Sequence, residues 1–166
     1  MQQNQRMLFR HAEKRYLKNG KKTTEQVFDD IRSQTAELMH LCIWTALSSG
    51  CGIPEEKVKA VAEWADRYSA MYINAQRYQG PEAAKKELKE QTDAFLPHSF
   101  ILPAAKAPRK NRDWDILAAQ RQAGEMVARL YAKAMNKALS FDAQQIDRVL
   151  WLATDIYREK AKETDK

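Results

Sequence analysis

Glycine, proline and cysteine are scarce in this chain of 166 residues, which holds five, five and two of them respectively. So few helix-breaking residues, beside abundant Ala, Glu, Gln, Lys, Arg and Leu, favour helix over most of the length. The two cysteines, Cys42 and Cys51, lack the CxxC spacing of redox and zinc motifs, so we expect buried thiols and no disulfide framework. The composition therefore predicts an all-α fold.

Long apolar runs are missing as well. No stretch approaches the roughly 18 uninterrupted apolar residues of a membrane span, and the N-terminus has no apolar segment like that of a secretory signal. We therefore expect no membrane partner. Together with free thiols, this predicts a cytoplasmic location, which is the host cytoplasm if a phage encodes the protein.

Catalytic and metal-binding signatures are also lacking. The histidines His11, His40 and His98 are scattered, and neither a Gly-x-Ser-x-Gly motif nor a phosphate-cradling loop occurs. Glu37 and His40 form one Glu-x-x-His pair, but a di-iron bundle needs two such pairs and two further glutamates. We therefore expect a protein that is not an enzyme, with no catalytic residues, no metal and no cofactor.

The spacing of apolar residues and of helix-ending residues predicts one helical domain over residues 1–166. It comprises a basic N-terminal helix in 1–22, a first hairpin in 24–78, a short helix and a Pro-rich crossover in 81–111, and a second hairpin in 112–160. Two hairpins with apolar inner faces predict a four-helix core, to which the basic helix and the short helix are accessory. The core positions expected on the helix after the crossover are Trp114, Leu117, Val127, Leu130, Tyr131 and Ala134.

The two hairpins align with each other when residues 36–72 are shifted by 88 positions onto 124–160. Identities are few, but apolar and polar positions alternate in step and the turns coincide. Any two antiparallel helices of equal length share part of this pattern. Internal duplication and ordinary hairpin periodicity therefore both explain it. The pairs that match are Glu37 with Glu125, Leu38 with Met126, Ala46 with Ala134, Ile53 with Phe141, Val58 with Ile146, Val61 with Val149, and Ala65 with Ala153.

The first hairpin bends at a glycine-bearing sequence. Its first helix ends in Ala46-Leu47, the turn contains Gly50-Cys51-Gly52, and charged residues open the next helix. This arrangement resembles a family of small, uncharacterised helical proteins of bacteriophages and prophages of Gram-positive bacteria. In that family a His follows Ala-Leu, Phe-Gly-Phe-Gly forms the turn, and Arg-Leu opens the next helix. This chain has Ser48 in place of the His, Cys51 in place of the second Phe, and Lys57-Val58 in place of Arg-Leu. The resemblance implies a phage-type protein and no particular activity.

The formal excess of six positive charges lies entirely in residues 1–22. Seven basic residues there accompany one acid, Glu13, whereas the rest of the chain holds equal numbers of both signs. Cations spaced by four on a helix can follow a phosphate backbone, and a second basic cluster lies at the end of the crossover. A solubilising charged face explains the same pattern. The predicted nucleic-acid-binding residues are Arg6, Arg10, Lys14, Arg15, Lys18, Lys21, Lys22, Lys106, Arg109, Lys110 and Arg112.

Three functions are compatible with the sequence. The first is a non-enzymatic accessory protein that binds an anionic partner, with nucleic acid contacted at its phosphates ranked first. The second is an inhibitor or adaptor that binds a host protein, for example in anti-defence, with Trp44, Tyr72 and Tyr78 as partner-binding anchors. The third is a protein that sequesters a small nucleotide between its helices, as a monomer or as a homo-oligomer.

Overall fold

A computed structural model describes residues 24–98 and 100–164 of the chain. This part contains five α-helices and no strand, which confirms the all-α prediction for the described residues. The predicted basic helix in 1–22 lies outside them. The helices are α1 (Thr24–Thr45), α2 (Glu55–Gln79), α3 (Pro81–Thr92), α4 (Asn111–Leu139) and α5 (Ala143–Thr164).

The end of α1 is wider than an ordinary helix. A single π-helical turn, Ala46–Gly50, continues α1 beyond its last α-helical residue. The Ser48 hydroxyl donates to the Trp44 carbonyl over 2.9 Å, which satisfies one acceptor of this last stretch. The chain then reverses at Gly52, whose φ of 65° lies in the left-handed region where glycine is favoured. The sequence predicted the end of this helix but not its π-helical form.

The two hairpins interlock. Helix α4 packs along both α1 and α2, and α1 packs along both α4 and α5, whereas α1 and α2 have little direct contact with each other. Helix α3 covers part of α2 and α4. One helix of each hairpin therefore lies against both helices of the other hairpin. If α1 is exchanged with α4 and α2 with α5, the same pairs of helices are in contact.

The turns of the two hairpins share two backbone features, although only the first follows a π-helical stretch. Gly52 in the first turn and Ser140 in the second both have positive φ, 65° and 55°, and they are related by the 88-residue shift. In each turn, the amide of the following residue donates to the carbonyl six positions back, over 3.0 Å in the first and 3.5 Å in the second. The sequence alignment of the turns thus has a counterpart in backbone geometry.

The main core draws on α1, α2, α4, α5 and the crossover between α3 and α4. Leu96 and Leu102 of the crossover are buried, and Phe100 packs against the core, whereas Ile101 is 63% exposed. Burying such a side chain contributes about 1.5–3 kcal/mol, so the crossover is held to the fold by its own apolar residues. The largest fully buried side chains are Tyr157, Ile31, Leu38, Met39, Ile43, Leu47, Leu102, Met135, Ile146, Val58, Val61 and Val149.

One predicted core position is wrong. Trp114 is 56% exposed, although Leu117, one turn further along α4, is buried as expected. The apolar spacing continues into the first turn of α4, but the packed part of the helix begins only at Leu117. Trp151, on α5, is also exposed, at 63%. None of the described helices is both long and apolar enough to span a membrane.

Candidate functional site: a cleft in the first hairpin

A cleft of about 530 Å³ lies between α1 and α2, with α4 as its floor. It exists because α1 and α2 are both held by α4 and make little contact with each other. Its volume falls within the range of small-molecule pockets. Alanine, leucine, valine and methionine side chains form most of the lining. The polar lining consists of Glu37 and His40 from α1, Asp66 and Ser69 from α2, and Tyr131 from α4.

Helical spacing explains how these polar side chains meet. Glu37 and His40 are three residues apart on α1, and Asp66 and Ser69 are three residues apart on α2, so each pair shares one face of its helix. The Glu-x-x-His pair seen in the sequence is therefore part of the cleft. Within the described residues, no group of three or more His, Cys, Asp and Glu side chains is arranged to hold a metal ion.

His40 and Tyr131 form a hydrogen-bonded pair at the wall of the cleft. The Tyr131 hydroxyl contacts Nδ1 of His40, and the two rings meet edge to face with their centroids 5.4 Å apart. Burial lowers the pKa of His40, although the nearby Asp66 opposes this shift. Burial, and then Asp66, raise the pKa of Tyr131. Both groups are therefore neutral at neutral pH, and one proton is shared between the hydroxyl oxygen and Nδ1 in this hydrogen bond.

The charge of the cleft is negative. Glu37 and Asp66 are both exposed, so their carboxylates lie at the mouth, and no lysine or arginine belongs to the lining. Two lysines of α4 face aromatic rings of α2 instead. Lys133 lies 4.2 Å from the centroid of the Tyr68 ring, and Lys137 lies 5.1 Å from that of Trp64. An anionic ligand would thus meet repulsion at the mouth, and a cationic one attraction.

The predicted nucleic-acid-binding residues fall into two groups. Those of the crossover lie at the start of α4, where Lys106, Arg109 and Lys110 are exposed and Arg112 is half-buried. The other predicted residues, Arg6, Arg10, Lys14, Arg15, Lys18, Lys21 and Lys22, lie outside the described part of the chain.

Asp113 holds the basic segment in place. Its carboxylate accepts hydrogen bonds from the backbone amides of Arg109 and Lys110, over 3.0 and 3.1 Å, and these bonds lower the pKa of Asp113. They also cap α4, whose N-cap is Lys110. The amide of Trp114 donates to the Lys110 carbonyl over 3.3 Å, which starts the helix. The exposed Trp114 indole therefore belongs to the same turn as three basic residues.

The predicted protein-binding anchors differ in exposure. Trp44 is half-buried against the core, with its ring centroid 6.4 Å from that of His40. Tyr72 is half-buried, and burial raises its pKa. Tyr78, near the end of α2, is 89% exposed. Of these three aromatic side chains, Tyr78 alone presents nearly its whole surface.

Sequence reasoning did not find the cleft. Tyr131 was expected in the core, where it is indeed buried, but its hydroxyl faces His40 and not an apolar neighbour. Asp66 and Ser69 were not among the predicted site residues. Their spacing of three, matching that of Glu37 and His40, was the available signal.

Known proteins add no assignment of this site. Comparison of the chain with models of protein families, with curated proteins and with solved structures found no match. In the described part of the chain, two places combine accessible side chains with distinct chemistry. These are the acidic cleft of the first hairpin and the basic turn around Trp114.

Proposed function

We propose that the protein is a non-enzymatic accessory protein that binds nucleic acid, mainly through phosphates and with a base stacked on Trp114. The observation that carries this proposal is the exposed indole in the same turn as Arg109, Lys110 and Arg112. Aromatic faces beside cations are the usual means of holding single strands without sequence preference.

The charge distribution supports the same function. All six net positive charges belong to residues 1–22, and the rest of the chain is neutral overall. Contacts from both basic segments to five or six phosphates would give a slope of about −5 for log affinity against log salt concentration. Binding through few phosphates would give a much shallower slope.

The test is fluorescence anisotropy with labelled single- and double-stranded DNA and RNA at two salt concentrations. Trp114→Ala removes a stacking surface worth about 1–3 kcal/mol per base, so we expect affinity for single strands to fall at least fivefold. Trp151→Ala, which removes an equally exposed indole from α5, is the matched control and should leave affinity unchanged. Deleting residues 1–22 should reduce both the affinity and the salt slope.

Two results would contradict the proposal. The first is a lack of binding at low salt. The second is an equal loss from Trp114→Ala and Trp151→Ala, because a general effect of losing surface indoles would then explain both.

Tyr78 supports a second candidate function, the binding of a host protein. Its 89% exposure leaves a large amphipathic ring available at the end of α2, and Met71, one heptad earlier on the same helix, is 60% exposed. Tyrosine is a common centre of protein interfaces. Such binding would survive deletion of residues 1–22 and fail in Tyr78→Ala. Nucleotide sequestration in the cleft has less support, because Glu37 and Asp66 at its mouth repel phosphates.

We also infer that the two hairpins are copies of one ancestral hairpin. The matching positive φ values at Gly52 and Ser140, and the exchangeable packing of the hairpins, support duplication over simple periodicity. A phage or prophage origin remains a proposal that rests on the turn sequence.

A further inference from the structure

We propose that the cleft between α1 and α2 binds a small organic cation, in which an ammonium group is attached to an apolar body about the size of one aromatic ring. The charge of the cleft carries the first half of this inference. Glu37 and Asp66 stand at its mouth, on facing helices, and its lining holds no lysine or arginine to neutralise them. An ammonium group placed between two carboxylates gains charge-assisted hydrogen bonds that a neutral ligand lacks.

The lining below the mouth defines the body of the ligand. Val127 and Leu130 are buried in the floor, and Met126 and Leu41 are half-buried beside them. Apolar atoms placed there leave water at a gain of about 25 cal/mol per Å². The Tyr131 ring borders this space, and an aromatic ring attracts a nearby cation. The cleft therefore favours a ligand that is apolar at one end and positively charged at the other.

The second hairpin indicates the size of that body. The 88-residue shift pairs Ser69, which lines the cleft, with Tyr157, which is 1% exposed within the second hairpin. A phenol ring fills the interior at the position where the first hairpin has only a hydroxymethyl group. The first hairpin thus lacks, at this position, the ring that fills the second hairpin, and its cleft of about 530 Å³ is large enough for a ligand that carries one.

The experiment measures binding of phenethylammonium by isothermal titration calorimetry and by thermal shift, with the full chain. Two probes of the same shape separate charge from packing: 2-phenylethanol is neutral and phenylacetate is negative. We expect phenethylammonium to bind at least tenfold more tightly than 2-phenylethanol, and phenylacetate not to bind. Because exposed carboxylates are screened by salt, the difference should shrink as ionic strength rises.

Three variants locate the site. Asp66→Asn should weaken phenethylammonium binding about tenfold, since it removes one of two carboxylates. Asp147→Asn, which removes an exposed carboxylate from α5, is the matched control and should have no effect. Ser69→Tyr should abolish binding by filling the cleft as Tyr157 fills the second hairpin, with circular dichroism used to verify its fold.

Equal affinity for the three probes, or equal effects of Asp66→Asn and Asp147→Asn, would overturn the proposal. Because Asp66 is exposed, its replacement tests the site even if Ser69→Tyr fails to fold. Nucleic-acid binding is independent of this result. Trp114→Ala should leave phenethylammonium binding intact, so that either proposal can fail alone.

Discussion

The first hairpin leaves a cleft between its helices, whereas in the second hairpin, which packs in an equivalent way, the Tyr157 ring is buried at the corresponding position. Tyr157 occupies the interior of the second hairpin near Cys42, and its burial raises its pKa, with Cys42 adding to the shift. Burial also raises the pKa of Cys42, to about 11, so the thiol stays protonated. The comparison shows that a shared backbone arrangement does not ensure a shared site. The side chains at matched positions, such as Ser69 and Tyr157, contribute to whether the interior is packed or open.

The two hairpins also differ in what covers them. Arg129, on α4, is 4% exposed, and its guanidinium donates to Thr92 at 2.8 Å, to Glu125 at 3.3 Å and to Asp93 at 3.4 Å. It thereby fastens the end of α3 to α4. The shift pairs Arg129 with Leu41, which lines the open cleft. Helix α3 and the crossover thus cover part of the second hairpin. The corresponding positions of the first hairpin are not covered, and they line the cleft.

The largest expected effect comes from giving the second hairpin the small side chain of the first. Tyr157→Ser removes a fully buried ring, and we expect the free energy of unfolding to fall by about 3–5 kcal/mol. Urea unfolding followed by circular dichroism measures it. Tyr157→Phe keeps the ring and should cost much less. Similar losses from both variants would show that the hydroxyl, and not the ring, stabilises this hairpin.

Removing the arginine that fastens α3 should have the next largest effect. Arg129→Ala leaves the Thr92 hydroxyl and two carboxylates without their shared donor, and we expect a loss of about 2–3 kcal/mol because the carboxylates are still partly solvated. Arg158→Ala breaks an exposed ion pair with Asp155, 3.3 Å long and within α5, and serves as the control. Its expected cost is below about 1 kcal/mol. Equal melting temperatures for the two variants would refute the fastening role.

Two glycines distinguish the contact between α4 and the crossover from the contact between the end of the π-helical turn and α5. A side chain added at Gly124 would begin 3.2 Å from Cβ of the buried Leu102, which cannot move without its backbone. Gly124→Ala should therefore cost about 1–3 kcal/mol. At Gly50 the nearest atom is Cδ1 of Leu152, at 3.1 Å, and this end of a flexible side chain can turn away. Gly50→Ala should change stability little; a larger loss there than at Gly124 would contradict this difference.

The smallest expected effects lie in the matched turns. Gly52→Ala places a side chain at φ 65°, and we expect a loss of about 1 kcal/mol from left-handed strain alone, since nothing lies within 4 Å of the added carbon. Ser140→Gly relieves the corresponding strain at φ 55° and should gain about 0.5 kcal/mol. Chemical denaturation of both variants checks the pair. Changes of the same sign would mean that the two turns are not equivalent.

Several features could be predicted from the sequence because they depend only on residues within or next to one helix. Gly80 and Pro81 mark the end of α2 and the start of α3 in the sequence itself, since proline and glycine act on their own backbone. The cap of α4 is harder to predict. Asn111 has a side chain typical of an N-cap, but the structure uses Lys110 with Asp113, because capping geometry depends on how the preceding chain approaches the helix.

The sequence by itself determined that the described chain is helical, where its helices break, and that its positive charge is concentrated in residues 1–22. Tertiary structure decided that the hairpins interlock, that Trp114 is exposed and that His40 meets Tyr131 across the cleft. The reason is physical. Apolar spacing shows which face of a helix avoids water, but the neighbour that covers that face depends on contacts between residues far apart in the chain.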